Sequence, residues 1–242
     1  MGEKMKKVHL GIAGVAVGAL LATGCSSAAD PARTNAAASV ESGTTAADLN
    51  AFYAEDSKFY EPMRQKTEGA LLVAPPPTVK AATGESTVVV SGKVGEVAAQ
   101  RVIGNVQTMR VVLTDIDVLH GKLQPELGGK VAVELFLGEP VNVEKQIQGF
   151  QASLPKGYSI WFLRWQGNKR PVTKPGANPA EDPADASLYG VVHRHAVFAQ
   201  GPDGVTNAIA EHDAEGKPMP GLQAEGEKLG KLSDLADQVR KS

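Results

Sequence analysis

Apolar and polar positions alternate most regularly through the middle of the chain, and there they predict strands. Thr87 to Val94 is short and β-branched, as strands are. Gly92 and Gly95 predict a bulge or sharp bend of the kind that closes a barrel. Met109 to Leu119 reads as a second strand, in which Val112, Thr114, Ile116 and Val118 alternate with Asp115 and Asp117. His120-Gly121-Lys122 ends it. Gly128-Gly129 leads into a third strand, Lys130 to Leu137, with Val131, Val133, Leu135 and Leu137 on one face. After the turn Leu154-Pro155-Lys156-Gly157, Tyr158 to Trp165 is a fourth. Tyr189 to Gln200 and Val205 to Ala210 are the fifth and sixth, joined by Gly201-Pro202-Asp203-Gly204. That tetrapeptide is a strong turn signal, with proline pre-set and glycine free to turn left. Gly167 to Ala186 carries Pro171, Pro175, Pro179 and Pro183 and reads as a long loop.

The period changes outside this stretch. In Ala46 to Arg64, residues Leu49, Phe52, Tyr53, Phe59, Tyr60 and Met63 recur at spacings that place them along one side of a helix. Pro62 stops or kinks it, and Pro75-Pro76-Pro77 favours an extended lead-in. Glu225 to Val239 sets Leu229, Leu232, Ala236 and Val239 on one face of an amphipathic helix that docks on the strands. The expected layout is a lead-in over 46–85, a strand domain over 86–211 and a loop with a helix over 212–242. The fold class is mainly β: a small five- or six-stranded barrel with an N-terminal helix and a C-terminal amphipathic helix.

The first 45 residues follow a different logic. Met1 to His9 holds three lysines against one glutamate, and Leu10 to Thr23 is an uncharged run of 14 residues. A membrane-spanning helix needs about 20 apolar residues. The shorter run fits the apolar segment of an export signal. Leu21-Ala22-Thr23-Gly24-Cys25 resembles the bacterial lipobox, departing from its commonest form in having Ala22 where leucine is usual. The resemblance implies a signal peptide over 1–24 and a diacylglyceryl group on Cys25, which becomes the first residue. Cys25 is the chain's one cysteine, so no internal disulfide competes for it. Two acyl chains hold stably where one holds reversibly. Ser26 to Thr45 is rich in Ala, Ser, Thr, Asn and Asp and reads as a tether with too little apolar surface to fold.

Charge narrows the partners. Beyond residue 24 the chain carries 22 basic and 26 acidic side chains. Nucleic-acid binders show a basic surplus that neutralises phosphates, so nucleic acid is not an expected partner. Aromatics are 5% of the chain, too few for a base-stacking platform.

Short strands, a bent glycine-containing first strand, a second ending in Leu119-His120-Gly121-Lys122, and Leu154-Pro155-Lys156-Gly157-Tyr158-Ser159-Ile160-Trp161-Phe162-Leu163 together look like an OB-fold or netrin-like barrel. Such barrels occur in uncharacterised actinobacterial lipoproteins, and the likeness covers roughly residues 86–211. A fold does not import a function. Netrin-like metalloprotease inhibitors use a free N-terminal cysteine beside the barrel. Here Cys25 is the expected acylation site some 60 residues from it, so that mechanism does not carry over.

The candidate chemistry lies in His193-Arg194-His195 and His212-Asp213. On a strand, His193 and His195 share a face. Pairing Gln200 with Val205 places His212 opposite His193, and three imidazoles near Asp213 or Glu211 could bind zinc or copper. A one-residue slip sends His212 to the other face. The plainer alternative is three solvated side chains. Asp115 and Asp117 similarly read as an acid–base pair or cation site, or as an ordinary polar face. Trp161 and Trp165 share a face with Leu163 and read as core. No serine elbow, phosphate loop or paired-cysteine motif occurs. The sequence therefore points to a non-enzymatic lipoprotein on the extracytoplasmic face of the cell membrane. It would be held by lipid on Cys25, bind a protein or envelope component and need no cofactor. The alternative is a metal-binding protein using His193, His195 and His212.

Overall fold

A computed structural model describes residues 44–64, 74–103, 106–138, 142–167 and 183–242. All of them fall within one compact unit, Glu41–Ser242. The signal segment, Cys25, most of the tether and prolines 171, 175 and 179 lie outside the described residues.

The fold is mainly β. Among the described residues seven strands form one sheet: β1 Val88–Ile103, β2 Val106–Gly121, β3 Val131–Gly138, β4 Ser159–Trp165, β5 Tyr189–Val191, β6 Val197–Gln200 and β7 Val205–Asn207. The order is β1-β2-β3-β5-β4-β6-β7, and β4 also pairs with β1. That last pairing closes five strands into a ring. All ladders are antiparallel except β3–β5. The β1–β2 ladder is irregular around Gly92 and Gly95, where the sequence predicts a bend. Both positions are tight, Gly95 more so. A Cβ on Gly95 would lie 2.5 Å from Thr114 Cγ2, and one on Gly92 would lie 3.1 Å from the Thr114 carbonyl oxygen.

Alternation decides where the strands bury their side chains. Val88, Val90, Val94, Val97, Met109, Val111, Leu113, Val131, Val133, Leu135, Trp161, Leu163 and Tyr189 form one core contributed by all five ring strands. The other face of β1, β4 and β6 supplies Val89, Ile160, Phe162 and Phe198 to a second core. Strands buried on both faces read as unbroken apolar runs, and Ser159-Ile160-Trp161-Phe162-Leu163 is buried throughout. The Ser159 hydroxyl is satisfied inside, with donors Trp161 Nε1 at 2.7 Å and Tyr60 Oη at 3.2 Å.

Helices cover both cores. They are α1 Ala46–Leu49, α2 Ser57–Tyr60, α3 Val79–Glu85, α4 Val143–Ala152, α5 Leu222–Glu227 and α6 Leu232–Arg240. Of these, α2 and α4 pack on the ring core and the other four on the second. Leu49, Val79, Ala82, Leu222, Leu232, Leu235, Ala236 and Val239 pack there. Each such leucine or valine contributes roughly 1.5–3 kcal/mol by leaving water. The predicted tail helix is thus docked, but as two pieces. Between α5 and α6 the Leu229 carbonyl accepts from Val205 N–H at 3.0 Å, and Gln200 Oε1 accepts from Leu232 N–H at 2.9 Å.

Two sequence expectations need correction. The lead-in is no single helix but α1, a 3-10 turn at Ala54–Asp56, α2 and another at Glu61–Met63. Tertiary bonds break it. Asn50 Oδ1 accepts from Ser233 N–H at 2.9 Å, and both oxygens of Asp56 accept backbone N–H groups, Lys156 and Gly157, at 2.9 Å. Phe59, Tyr60 and Met63 join the ring core, whereas Phe52 and Tyr53 turn outward. The predicted strand Tyr189–Gln200 is also broken, with consequences for the histidines.

Candidate functional site

β5 and β6 lie along the same edge of β4, yet four residues too many separate them. Phe162 resolves the mismatch. Its N–H donates to the Ala196 carbonyl at 3.1 Å and its carbonyl accepts from Val192 N–H at 3.0 Å, so residues 193–195 loop out opposite a single residue. The loop closes as a tight turn, with Ala196 N–H bonded to the His193 carbonyl at 2.9 Å.

This turn brings His193 and His195 together by a route that strand spacing did not foresee. Their rings meet edge to face, with centroids 4.6 Å apart and planes 84° apart. His193 Nδ1 accepts from the His195 backbone N–H at 3.1 Å. Only 1% of His195 is exposed. Burial, then the neighbouring His193 and Arg194, push its pKa down from the usual 6.5 to about 4. The ring is therefore neutral at physiological pH.

The structure does not bring His212 to this pair. Gln200 does pair with Val205, as the turn signal implies, but the ladder stops at Asn207. There the Asn207 side-chain oxygen accepts from Ile209 N–H at 3.2 Å and Ala210 N–H at 2.8 Å, turning the chain away. His212 ends against α5, its Nε2 2.8 Å from Glu227 Oε2. Glu227 also accepts from Asn207 N–H at 2.8 Å and from Gln223 Nε2 at 3.2 Å. Among the described residues no group of three or more His, Cys, Asp or Glu is arranged to hold a metal. The zinc or copper site of His193, His195 and His212 is not formed.

Asp115 and Asp117 separate likewise. Asp115 takes a left-handed φ of 50° at the β1–β2 irregularity and lies 3.4 Å from Lys93 Nζ. Asp117 receives Arg240 Nη2 from α6 at 2.9 Å. Each holds an ion pair. Trp161 and Trp165 pack in or against the ring core with Leu163, as the pattern implies.

A polar cluster that sequence reasoning missed lies on the opposite face of β3 from the core. Glu134 accepts from Arg101 Nε and Nη2, each at 2.8 Å, and from Thr108 Oγ1 at 2.9 Å. Arg101 also reaches Gln166 and Asp185. The Glu134 side chain is 4% exposed. Burial pushes its carboxyl up, but the bonds from Arg101 and Thr108 outweigh that and hold its pKa below the usual range. Within Val131–Leu137 the residue simply alternates outward, so nothing in the sequence marked it. The cluster fixes an ionised carboxylate against a guanidinium that also reaches Gln166 and Asp185, which makes it a joint between strands.

Beside that joint the surface is apolar. Val102, Ile103 and Phe136 are 61%, 41% and 57% exposed near the far ends of β1 and β3, which β2 separates; the register sets Ile103 and Phe136 on one face and Val102 on the other. A separate open groove of about 490 Å³ is lined by Lys80, Asp234, Asp237, Gln238, Lys241 and Ser242. No described helix is long and apolar enough to cross a membrane. No family model matches the chain, and neither does any curated protein or solved structure.

Proposed function

We propose that this chain is a lipid-anchored extracytoplasmic binding module without catalytic activity. The observation that carries the reading is Cys25, the sole thiol, placed directly after a basic head, an apolar run of 14 residues and Ala22-Thr23-Gly24. Exported chains with such a leader are acylated at that cysteine, and two acyl chains hold stably. The folded unit supports the non-enzymatic part. Side chains from all five ring strands fill the ring, with Trp161 and Tyr189 fully buried.

The ring further supports an OB-like barrel: five strands whose ladders return to the first. Barrels of that type bind ligands on the second and third strands and adjoining loops. Here that region carries exposed Ile103 and Phe136 on one face, and exposed apolar surface marks an interaction site. The ligand is accordingly a protein or another partly apolar envelope component.

Intact mass of protein from its native host membranes tests the anchor. The expected mass is that of a chain beginning at Cys25 with a diacylglyceryl group, and Cys25→Ala should leave the leader uncleaved. A free thiol on a chain that retains residues 1–24 overturns the reading. For the binding face, a photocrosslinker at Ile103 should give a discrete adduct in cells that the same group at Asp203 does not.

A further inference from the structure

The segment after Thr45 presents two aromatic side chains in an unusual way. Phe52 and Tyr53 are 46% and 38% exposed, although their spacing from Leu49, Phe59 and Tyr60 suits the buried side of a helix. Two clamps prevent that helix. Asn50 is tied to α6 by Ser233 N–H at 2.9 Å and by its own Nδ2 to Ser233 Oγ at 3.1 Å. Asp56 is tied to the segment before β4 by Lys156 and Gly157. Residues 51–53 are held between these clamps, and the aromatics point outward from a fixed base.

Chain length limits what can cover them. Twenty residue steps separate Cys25 from Thr45, at most about 70 Å of extended backbone. An acylated Cys25 would thus confine this segment to the neighbourhood of the bilayer. For a linked partner the effective concentration is on the order of millimolar, so even a weak contact is populated. Local charge does not drive the contact, because the segment is slightly acidic. Lys156 pairs with Glu55 at 2.7 Å, and Asp48, Asp56 and Glu61 outnumber Lys58, so the aromatic rings carry the attraction. Tyrosine and phenylalanine rings at the headgroup level are the usual anchors of such a contact.

We infer that Phe52 and Tyr53 seat the folded unit on the bilayer that carries its own lipid anchor, fixing its orientation there. The inference rests on acylation of Cys25. A nitroxide on Ala54→Cys in the acylated protein, reconstituted in phosphatidylcholine–phosphatidylglycerol vesicles, tests it, with Asp203→Cys as the comparison site. The label at 54 should collide several-fold less with a water-soluble nickel complex than the label at 203. The difference should not weaken as salt is raised, and Phe52→Ser/Tyr53→Ser should abolish it while the denaturation midpoint stays unchanged. An acylated chain whose label at 54 is as water-accessible as that at 203 overturns this inference alone. A chain lacking the acyl mass overturns the anchor and this inference with it.

Discussion

Arg101 grips the Glu134 carboxylate with two hydrogen bonds, Nε to Oε1 and Nη2 to Oε2, both 2.8 Å long. The pair joins the far end of β1 to β3, and Asp185 and Gln166 also accept from the guanidinium. Removing one partner from a buried pair leaves an uncompensated charge, which costs more than replacing both. Arg101→Met or Glu134→Leu alone should cost about 3 kcal/mol. The double variant should recover part of that. Urea denaturation of the three variants checks the ordering; single variants with wild-type midpoints would remove the joint from the stability account.

Acid should unfold the protein in two stages. The His195 pKa falls from 6.5 to about 4 on folding, so between those values the unfolded chain binds the extra proton. Its contribution is complete above pH 6.5 and lost by about pH 4, a change of about 3 kcal/mol. The folded-state pKa of Glu134 is depressed as well. Its contribution is present above the ordinary carboxylate range and disappears only as pH falls through its lowered value. Urea midpoints measured from pH 7.5 to 3 should therefore decline first through the histidine window. His195→Phe should flatten that first stage and leave the second.

Within the segment 46–63, two aromatics seven residues apart should behave oppositely. Phe59 is fully buried, edge to face with Tyr60 and Phe150, so Phe59→Ala should cost about 3–5 kcal/mol. Phe52→Ser should stay within about 0.5 kcal/mol. Thermal melts of the two variants compare them directly, and equal losses would contradict the burial pattern.

Asn207 ends the β6–β7 hairpin by accepting from Ile209 and Ala210 N–H. Asn207→Ala strands those amides and should cost about 1–3 kcal/mol. Hydrogen exchange at residues 209 and 210 should accelerate, whereas protection in β1 should change only as far as global stability does.

The strands were legible where one period governed them. Val131, Val133, Leu135 and Leu137 alternate cleanly, and Gly201-Pro202-Asp203-Gly204 fixed the partner of Gln200 correctly. Val191-Val192 and Val197-Phe198 misled because no glycine or proline marks the turn between them. That turn is set by Phe162 on another strand, which local pattern cannot report. The same holds for Asn50 and Asp56, whose partners lie 183 and about 100 residues away. α4 had visible signals: Val143, Ile147 and Phe150 at helical spacing, and Asn142 accepting from Lys145 N–H as a cap. The intervening Gln, Lys and Gly residues masked them in a β context. Glu134 was invisible, since an outward polar residue on a strand reads as solvated until its partner from the end of β1 is known.

β7 is the last strand in the sheet, and two of its outward amides are already engaged. Val205 N–H is taken by the Leu229 carbonyl and Asn207 N–H by the Glu227 carboxylate. Bare strand margins invite neighbouring chains to add on. Here the C-terminal segment occupies that margin from within, so copies crowded together find no template along β7.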